Sequence, residues 1–283
     1  MHTIDWKTYC ADGTKIDEQM LALATGATLR VITFSPAQQY DRPVVLFVAG
    51  WVSHISGWQK VLQEMTRDFT IHYVETREKI SAQVQGKAQY SVEEIAADLV
   101  AVIEHFGLQQ NRYIMFGSSL GATAIVDSWH RLEQKPQALV LVGPNAEFRV
   151  PAFWRMIVRL FWPGFYPILR PVVKWYLRTF RLDLTTDRAQ YEKYSSILDV
   201  ADPWKLRKGV LSLSRYKIWP LLPQLCTPVL LITASRDKLH EPENLRRMHH
   251  MLPQATLMDF ETNSGTHTAA VVSAMRDWLQ ALD

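Results

Sequence analysis

The sequence of 283 residues predicts an α/β fold in which a doubly wound, mostly parallel sheet of eight strands carries an inserted helical segment. Continuous apolar runs bounded by proline or glycine predict strands that are buried on both faces, as in the middle of a parallel sheet. Amphipathic segments alternate with these runs, which is typical of parallel strands joined by right-handed crossovers. An aromatic and basic stretch interrupts the alternation, so we expect a core of residues 1–145 and 217–283 and a helical cap of residues 146–216.

The first two strands are expected to be antiparallel and to lie at one edge of the sheet. β-Branched and apolar residues cluster at residues 4–10 and 28–35, and Asp12-Gly13 and Thr25-Gly26 are turn signals between them. The apolar runs that predict the remaining strands are residues 44–48, 70–74, 112–116, 138–142, 228–233 and 255–260.

Helices are predicted between these strands. Ser91 and Glu94 form a capping box that starts one helix at residue 92, and Gly107 ends that helix. The other helices are predicted directly after Ser119 and at residues 58–67, 242–252 and 268–282, and residues 75–89 are expected to form a polar loop.

Charge and cysteine content exclude several classes of protein. The net charge of +3 is small for this length and no nucleic-acid-binding module is recognisable, so a nucleic-acid partner is not expected. Cys10 and Cys226 lack metal-ligand spacing, so we expect both thiols to be free, Cys226 to be buried, and neither metal nor cofactor to be bound. The sequence shows no signal peptide and no stretch of 18 uncharged apolar residues, and we expect a cytoplasmic protein.

The stretch Gly117-Ser118-Ser119-Leu120-Gly121 joins a predicted strand directly to a predicted helix. Its spacing is that of the G-x-S-x-G nucleophile elbow, in which the flanking glycines let the strand and helix backbones approach closely. The central residue of such a turn exposes its side chain at the carboxyl end of the strand. Alone, the motif also fits a tight turn without a catalytic role. With suitable partners elsewhere in the chain, Ser119 is the candidate nucleophile.

Two residues at other strand ends are suitable partners. Asp237 follows the strand at residues 228–233, and His267 follows the strand at residues 255–260. A serine hydroxyl is too weakly acidic to attack unaided, so an imidazole must take its proton and a carboxylate must orient the imidazole. His267 is the candidate base and Asp237 the candidate acid.

An acyl-transfer site also needs two hydrogen-bond donors for the negative charge that develops on the substrate oxygen. We expect the backbone N–H groups of Leu120, at the start of a helix, and of Trp51, in the loop after residues 44–48, to form this oxyanion hole. The side chains expected to line the substrate pocket are Trp51, Ser118, Asn145, Phe153 and Trp154.

These motifs, in the chain order Ser119, Asp237 and His267, resemble the α/β-hydrolase superfamily over about residues 44–282, in particular its bacterial esterase and lipase branch with a helical cap. The resemblance implies cofactor-free acyl transfer through an acyl-enzyme, with the catalytic triad at these three residues. Serine in the elbow argues against haloalkane dehalogenases and epoxide hydrolases, which use aspartate.

Two segments depart from the pattern of the superfamily. Ala49-Gly50 stands where the family usually has His-Gly before the oxyanion residue, so a supporting side chain is missing. The family's Asp-x-Arg-Gly-x-Gly loop corresponds here to residues 75–80, Glu-Thr-Arg-Glu-Lys-Ile, which contain no glycine. We therefore expect this loop to be built differently.

The predicted cap, residues 146–216, interleaves aromatic and basic residues. We favour a cap over an acyl pocket, with the basic side chains reaching water, but helices of this composition also fit peripheral contact with a membrane surface. The longest uncharged run, residues 160–169, is too short to span a bilayer. The residues concerned are Phe153, Trp154, Phe161, Trp162, Phe165, Tyr166, Trp175, Tyr176 and Phe180, with Arg149, Arg155, Arg159, Arg170, Lys174, Arg178 and Arg181.

The sequence thus predicts a serine hydrolase that cleaves carboxylic esters of a hydrophobic acyl or aryl small-molecule substrate. The same triad would serve thioester hydrolysis, C–C bond hydrolysis or acyl transfer, and these alternatives stay open. A non-catalytic ligand-binding protein of the same fold is a further alternative, which the presence of all three residue types in the expected order disfavours. The sequence does not predict the oligomeric state.

Overall fold

A single sheet runs through the computed structural model, which describes residues 5–86, 88–148, 150–160, 162–182, 184, 187–237 and 242–282. Its strands are β1 (Lys15–Ala22), β2 (Ala27–Ser35), β3 (Val44–Val48), β4 (Ile71–Glu75), β5 (Gln83–Val84), β6 (Tyr113–Ser118), β7 (Ala138–Val142), β8 (Val229–Thr233) and β9 (Ala255–Asp259). The order across the sheet is β1-β2-β4-β3-β6-β7-β8-β9, and β5 pairs with β2. β2 pairs antiparallel with β1, β4 and β5. The neighbouring strands in the order β4-β3-β6-β7-β8-β9 all pair in parallel.

Helices cover both faces of this sheet. Side chains of β3 alternate between the two faces. Leu46 and Val48 pack with the helices of residues 92–105, 120–131 and 242–251, and Val45 and Phe47 pack with those of residues 59–65 and 269–280. Strands β3, β4, β6, β7 and β8 are therefore buried on both sides, as their continuous apolar runs predict. The helices are α1 (Gln59–Met65), α2 (Val92–His105), α3 (Leu120–Arg131), α4 (Ala152–Leu160), α5 (Tyr166–Tyr176), α6 (Arg188–Val200), α7 (Pro203–Leu213), α8 (Pro242–Met251) and α9 (Ala269–Gln280).

The first edge of the sheet differs from the prediction. Trp6–Tyr9 is a short 3-10 helix rather than a strand, and the Asp5 side chain caps it by accepting a hydrogen bond from the Lys7 N–H. The edge strand that pairs antiparallel with β2 is β1, which lies between the two predicted turns. Because an edge strand buries few side chains, β1 contains charged residues and lacks the apolar pattern by which a strand is predicted. Residues 1–4, where the predicted strand began, lie outside the described residues.

Two further expectations need correction. β5 lies inside the predicted polar loop, so the sheet has nine strands among the described residues instead of eight. Cys226 is exposed rather than buried, because it lies in the turn before β8 and its thiol faces the carbonyl oxygen of Gln224. Both cysteines are free, as predicted.

Helices α4 to α7 lie between β7 and β8, and the chain leaves and rejoins the core at one point. Glu147 and Lys217 form an isolated antiparallel bridge, and the Ile218 N–H donates to the Ala146 carbonyl oxygen at 2.9 Å. We call residues 147–217 the insert; its bounds lie close to those of the predicted cap. Among the described residues, no helix has both the length and the apolar character needed to cross a bilayer.

Candidate active site

Ser119 lies in the sharp turn between β6 and α3. Its backbone angles, φ 49° and ψ −116°, are costly for any residue with a side chain. Both glycines of the motif are needed for this turn: a Cβ atom at Gly117 would lie 2.8 Å from the Cα of Ala122, and one at Gly121 would lie 2.3 Å from the carbonyl oxygen of Val48. The local geometry is therefore that of a nucleophile elbow.

Asn145, which follows β7, contacts the hydroxyl of this serine. Its side-chain amide donates a hydrogen bond to Ser119 Oγ at 2.9 Å. Thr123 of α3 holds Asn145 in place, because its hydroxyl donates to the Asn145 carbonyl oxygen at 2.9 Å. Because the amide is the donor, this bond occupies a lone pair of Oγ and does not use the hydroxyl proton.

Asp237 lies just beyond β8 and is 3 % exposed. Its two carboxylate oxygens accept hydrogen bonds from Gln190 Nε2 at 3.0 Å and from Asn263 Nδ2 at 3.1 Å. Donors of this kind offset the cost of burying a carboxylate. Sequence reasoning missed both partners; Gln190 lies on α6 of the insert, 47 residues away along the chain.

His267 lies at the end of the 3-10 helix Gly265–His267, which follows β9. Its Nδ1 donates to the carbonyl oxygen of Asn263 at 2.8 Å, so Nδ1 carries a proton and a neutral ring would leave Nε2 able to accept one. The ring packs against that of Trp58, with centroids 4.1 Å apart. Asn263 thus links the two candidates, because its side chain binds Asp237 and its backbone binds His267.

The three candidate residues follow β6, β8 and β9, whose carboxyl ends lie at the same edge of the sheet. Ser118, Asp237 and His267 together line a cavity of about 10 Å³, which has room for little more than one water-sized molecule. Ser118, predicted to line the substrate pocket, is buried against this small cavity. In the described part of the chain, no group of three or more His, Cys, Asp or Glu residues could hold a metal ion.

The loop after β3, predicted to supply one oxyanion donor, lies against the elbow. A Cβ atom at Gly50 would lie 3.2 Å from the Cβ of Ser119, so glycine allows the backbone before Trp51 to approach closely. The indole of Trp51 contacts α7 of the insert, where a Cβ atom at Gly209 would lie 3.3 Å from its ring nitrogen. Leu120 is the first residue of α3, so its N–H belongs to the unpaired, positive end of that helix.

Lys79 supports the same loop and was not singled out by the sequence. It is 5 % exposed, and its Nζ donates a hydrogen bond to the carbonyl oxygen of Gly50. Burial lowers the pKa of Lys79 below the ordinary value for lysine, although the carboxylates of Glu78 and Glu75 oppose this shift. The loop thus gains a buried side-chain donor where Ala49 lacks the histidine that the family resemblance leads one to expect.

Residues 75–79, which stand where the family resemblance leads one to expect a glycine-containing loop, are buried although they are polar. Arg77 is 1 % exposed, and its guanidinium donates to both carboxylate oxygens of Asp98 at 2.6 and 2.7 Å. Lys205 of α7 donates to the carbonyl oxygen of Lys79 and so connects the insert to the loop.

The start of α6 docks on the segment that carries His267. Asp187 caps this helix by accepting a hydrogen bond from the Gln190 N–H at 3.0 Å, and it also accepts one from the Ser264 N–H at 2.8 Å. A cleft of about 280 Å³ opens beside this contact, lined among others by Lys60, Gln190 and His267. Its volume is near the lower end of the range for small-molecule sites.

The other predicted pocket residues lie on α4. Phe153 is 61 % exposed, and the Trp154 ring contacts that of Tyr176, with centroids 5.0 Å apart. A role for Phe153 and Trp154 in a substrate pocket stays a prediction. Arg149, Phe161 and the side chain of Arg181, which belong to the predicted aromatic and basic segment, lie outside the described residues.

Known proteins share this architecture. The family model described as serine aminopeptidase, S33, matches residues 39–267. No curated protein matches the chain. Similar solved structures include a thermophilic esterase from Thermogutta terrifontis (19 % identity, TM-score 0.75, covering 95 % of this chain and 99 % of that chain). The chain is also similar to a hydrolase from Pseudomonas aeruginosa PA01, with 16 % identity and a TM-score of 0.74 over 96 % of this chain and 98 % of that chain. An enol-lactonase from Burkholderia xenovorans LB400 has 15 % identity and a TM-score of 0.73 over 92 % of this chain and 98 % of that chain. These matches confirm the predicted α/β-hydrolase fold.

Proposed function

The chain belongs to the serine aminopeptidase S33 family and is thus an enzyme of the α/β-hydrolase type; we propose that it is a serine hydrolase that cleaves carboxylic esters. The observation that carries this proposal is the position of Ser119. It occupies a strained elbow, its Oγ accepts a hydrogen bond from Asn145, and it lies at the sheet edge where Asp237 and His267 follow their strands.

In the proposed mechanism, Nε2 of His267 takes the hydroxyl proton as Ser119 Oγ attacks the ester carbonyl carbon. The Asn263 carbonyl keeps the other ring proton on Nδ1, and the buried carboxylate of Asp237 stabilises the imidazolium that forms. The ester C–O bond then breaks, and the alcohol leaves with the proton held by His267. Water, deprotonated by the same imidazole, hydrolyses the acyl-enzyme and restores Ser119.

The backbone N–H groups of Trp51 and Leu120 bind the oxyanion in this mechanism. Loss of one such donor raises the barrier by about 3–4 kcal/mol in other hydrolases. Because both donors are backbone groups, the position of the loop that carries Trp51 matters more than its side chain. Gly50 and Lys79 hold that loop against the elbow.

The proposed substrate is an ester with a hydrophobic acyl or aryl group, bound between the elbow and a cap formed by residues 146–216. The support for this proposal is that Trp51 lies under α7 and that Gln190 of the insert contacts Asp237. Insert residues therefore reach the sheet edge where the chemistry is proposed. Similarity to an esterase and to an enol-lactonase also favours oxygen esters over peptides.

The proposal is tested with Ser119→Ala and a substrate panel. The panel contains p-nitrophenyl esters of increasing chain length, an acyl thioester, a diketone and an aminoacyl p-nitroanilide. We expect the ester kcat to fall by at least about 10⁴-fold in Ser119→Ala, because the nucleophile is lost. Ser128→Ala is the matched control, since Ser128 is buried on α3 and its hydroxyl donates to the Ile125 carbonyl oxygen of the same helix.

Undiminished ester turnover by Ser119→Ala would refute the proposed nucleophile. Turnover of the thioester, the diketone or the p-nitroanilide at much higher kcat/KM than any ester would keep the nucleophile but replace the proposed bond. Activity confined to the acetate ester would contradict the hydrophobic acyl group.

A further inference from the structure

The outer side of the insert exposes many large apolar side chains. Helices α4 and α5 contain no buried residue among those described. Of the 15 large hydrophobic residues found exposed in the described chain, nine lie between positions 153 and 180. We call these nine residues the outer face: Phe153, Met156, Leu160, Trp162, Phe165, Ile168, Val172, Trp175 and Phe180.

The outer face is a connected surface rather than a set of scattered side chains. On α4, positions 153, 156 and 160 share one helix face, and on α5 positions 168, 172 and 175 do so. Ring contacts link outer-face residues of the two helices through Trp154 and Tyr176. Phe153 packs against Trp154 at 5.7 Å between centroids, Trp154 against Tyr176 at 5.0 Å, and Tyr176 against Phe180 at 5.6 Å. Connected apolar surface of this kind marks an interaction site.

The same segment is strongly basic. Residues 148–182 contain seven arginine or lysine residues and neither aspartate nor glutamate, so this segment carries +7 and the remainder of the chain −4. Lys174 and Arg170 pair with Asp199 of α6. Among the described residues, no carboxylate pairs with Arg155 or Arg159 of α4.

A cleft between α4 and α7 concentrates part of this charge beside the outer face. Its volume is about 570 Å³, and its walls include Arg155, Arg159 and Arg215 together with Ser212 and Met156. Guanidinium and hydroxyl groups are donors suited to phosphate oxygens. The cleft thus places phosphate-binding groups next to exposed apolar side chains.

We propose that the outer face and this cleft dock the enzyme on an anionic phospholipid membrane. Aromatic and aliphatic side chains enter the boundary between headgroups and acyl chains, while arginines bind lipid phosphates, a combination typical of interfacial helices. A second copy of the chain is a poorer occupant, because a symmetric contact would bring the basic segments of two copies together. The docking surface lies on the insert, so its existence does not depend on the bond that the enzyme cleaves.

The test is sedimentation with vesicles of phosphatidylcholine alone or of phosphatidylcholine mixed with phosphatidylglycerol, at low and at high salt. Ser119→Ala protein is used throughout, so that hydrolysis does not alter the vesicles and failure of the proposed chemistry does not affect the result. We expect binding to the anionic vesicles that is at least about tenfold tighter than to phosphatidylcholine and that weakens as salt rises.

Two variants with matched controls locate the surface. Leu160→Ser with Ile168→Ser removes apolar contacts, and Arg155→Glu with Arg159→Glu reverses charge; each pair should weaken binding by about tenfold or more. The controls make the same changes outside the insert: Met20→Ser with Leu282→Ser, and Arg67→Glu with Arg246→Glu, all at exposed side chains. Circular dichroism of each variant verifies folding.

Equal binding to both kinds of vesicle, no binding to either, or equal loss in insert and control variants would overturn the proposal. So would a stable dimer in sedimentation equilibrium that Leu160→Ser with Ile168→Ser dissociates, because the outer face would then be occupied by a second copy.

Discussion

Helices α3 and α4 are both rich in apolar residues, but α3 is buried and α4 is exposed. Ten of the 12 residues of α3 are buried, since the helix packs between the sheet and α2. α4 has seven apolar residues among nine, and none of the nine is buried. Apolar content alone therefore does not determine whether a helix is buried. Burial also requires neighbouring elements that pack against its apolar side chains.

The difference extends to the two regions that contain these helices. In the core, apolar burial fixes the sheet edge at which Ser119, Asp237 and His267 lie. In the insert, the inner helices α6 and α7 contact that edge through Gln190 and Lys205. The outer helices α4 and α5 leave similar residue types exposed. Core and insert should therefore respond differently to the same substitution.

The largest expected contrast is between two phenylalanines. Phe116 on β6 is fully buried, with its ring 4.6 Å from that of Phe47, whereas Phe165 in the insert is 57 % exposed. Phe116→Ala should lower the free energy of unfolding by about 3–5 kcal/mol, because it leaves a cavity. Phe165→Ala should change it by about 0.5 kcal/mol or less. Urea unfolding measures both, and similar losses in the two variants would contradict the contrast.

The next largest effect is the dependence of the free energy of unfolding on pH. The part that histidine contributes should come from the core, because residues 147–217 contain no histidine. Burial lowers the pKa of His72 on β4 to about 4. The unfolded chain, with a histidine pKa of about 6.5, takes up this proton first as pH falls. The contribution of His72 to the free energy of unfolding is therefore fully present above pH 6.5. It is lost as the pH falls towards 4, which lowers the free energy of unfolding by about 3 kcal/mol.

His72→Gln should remove this part of the decline. Urea unfolding at several pH values compares wild type with His72→Gln, and His250→Gln on the partly exposed α8 is the control. Parallel pH profiles for wild type and His72→Gln would show that His72 does not contribute.

The smallest expected effect concerns Lys79, which contacts both the insert and the loop after β3 that is proposed to supply an oxyanion donor. Lys79→Met removes the donor to the Gly50 carbonyl oxygen and should lower kcat by about tenfold, equivalent to about 1.4 kcal/mol in the barrier. KM should change less, because the loop acts on the transition state. Lys79→Arg should restore part of kcat. Equal loss of kcat in both variants, or an effect confined to KM, would indicate a packing role only.

Much of the core could be predicted because its signals are local. Each central strand is a continuous apolar run, and α2 begins at Val92, with the Glu94 N–H donating to Ser91 Oγ as the capping box predicts. The elbow is equally local, since Gly117 and Gly121 adjoin the serine that they accommodate.

The parts that could not be predicted depend on contacts between distant residues. β1 is charged and becomes a strand only through pairing with β2. The buried pair of Arg77 and Asp98 joins residues 21 positions apart, and Gln190 reaches Asp237 across 47 positions. A single sequence shows neither pairing, because a polar residue in a loop is usually solvated. Buried lysine at position 79 was missed for the same reason.

Mapping a fluorophosphonate adduct shows directly whether Ser119 is the attacking group. Trypsin releases residues 113–131 as one peptide, which contains Ser118, Ser119 and Ser128. Fragmentation of that peptide by mass spectrometry distinguishes the three serines. We predict one adduct, located on Ser119 and absent from the Ser119→Ala variant. An unlabelled peptide, or an adduct on Ser118 or Ser128, would mean that Ser119 is not the attacking group.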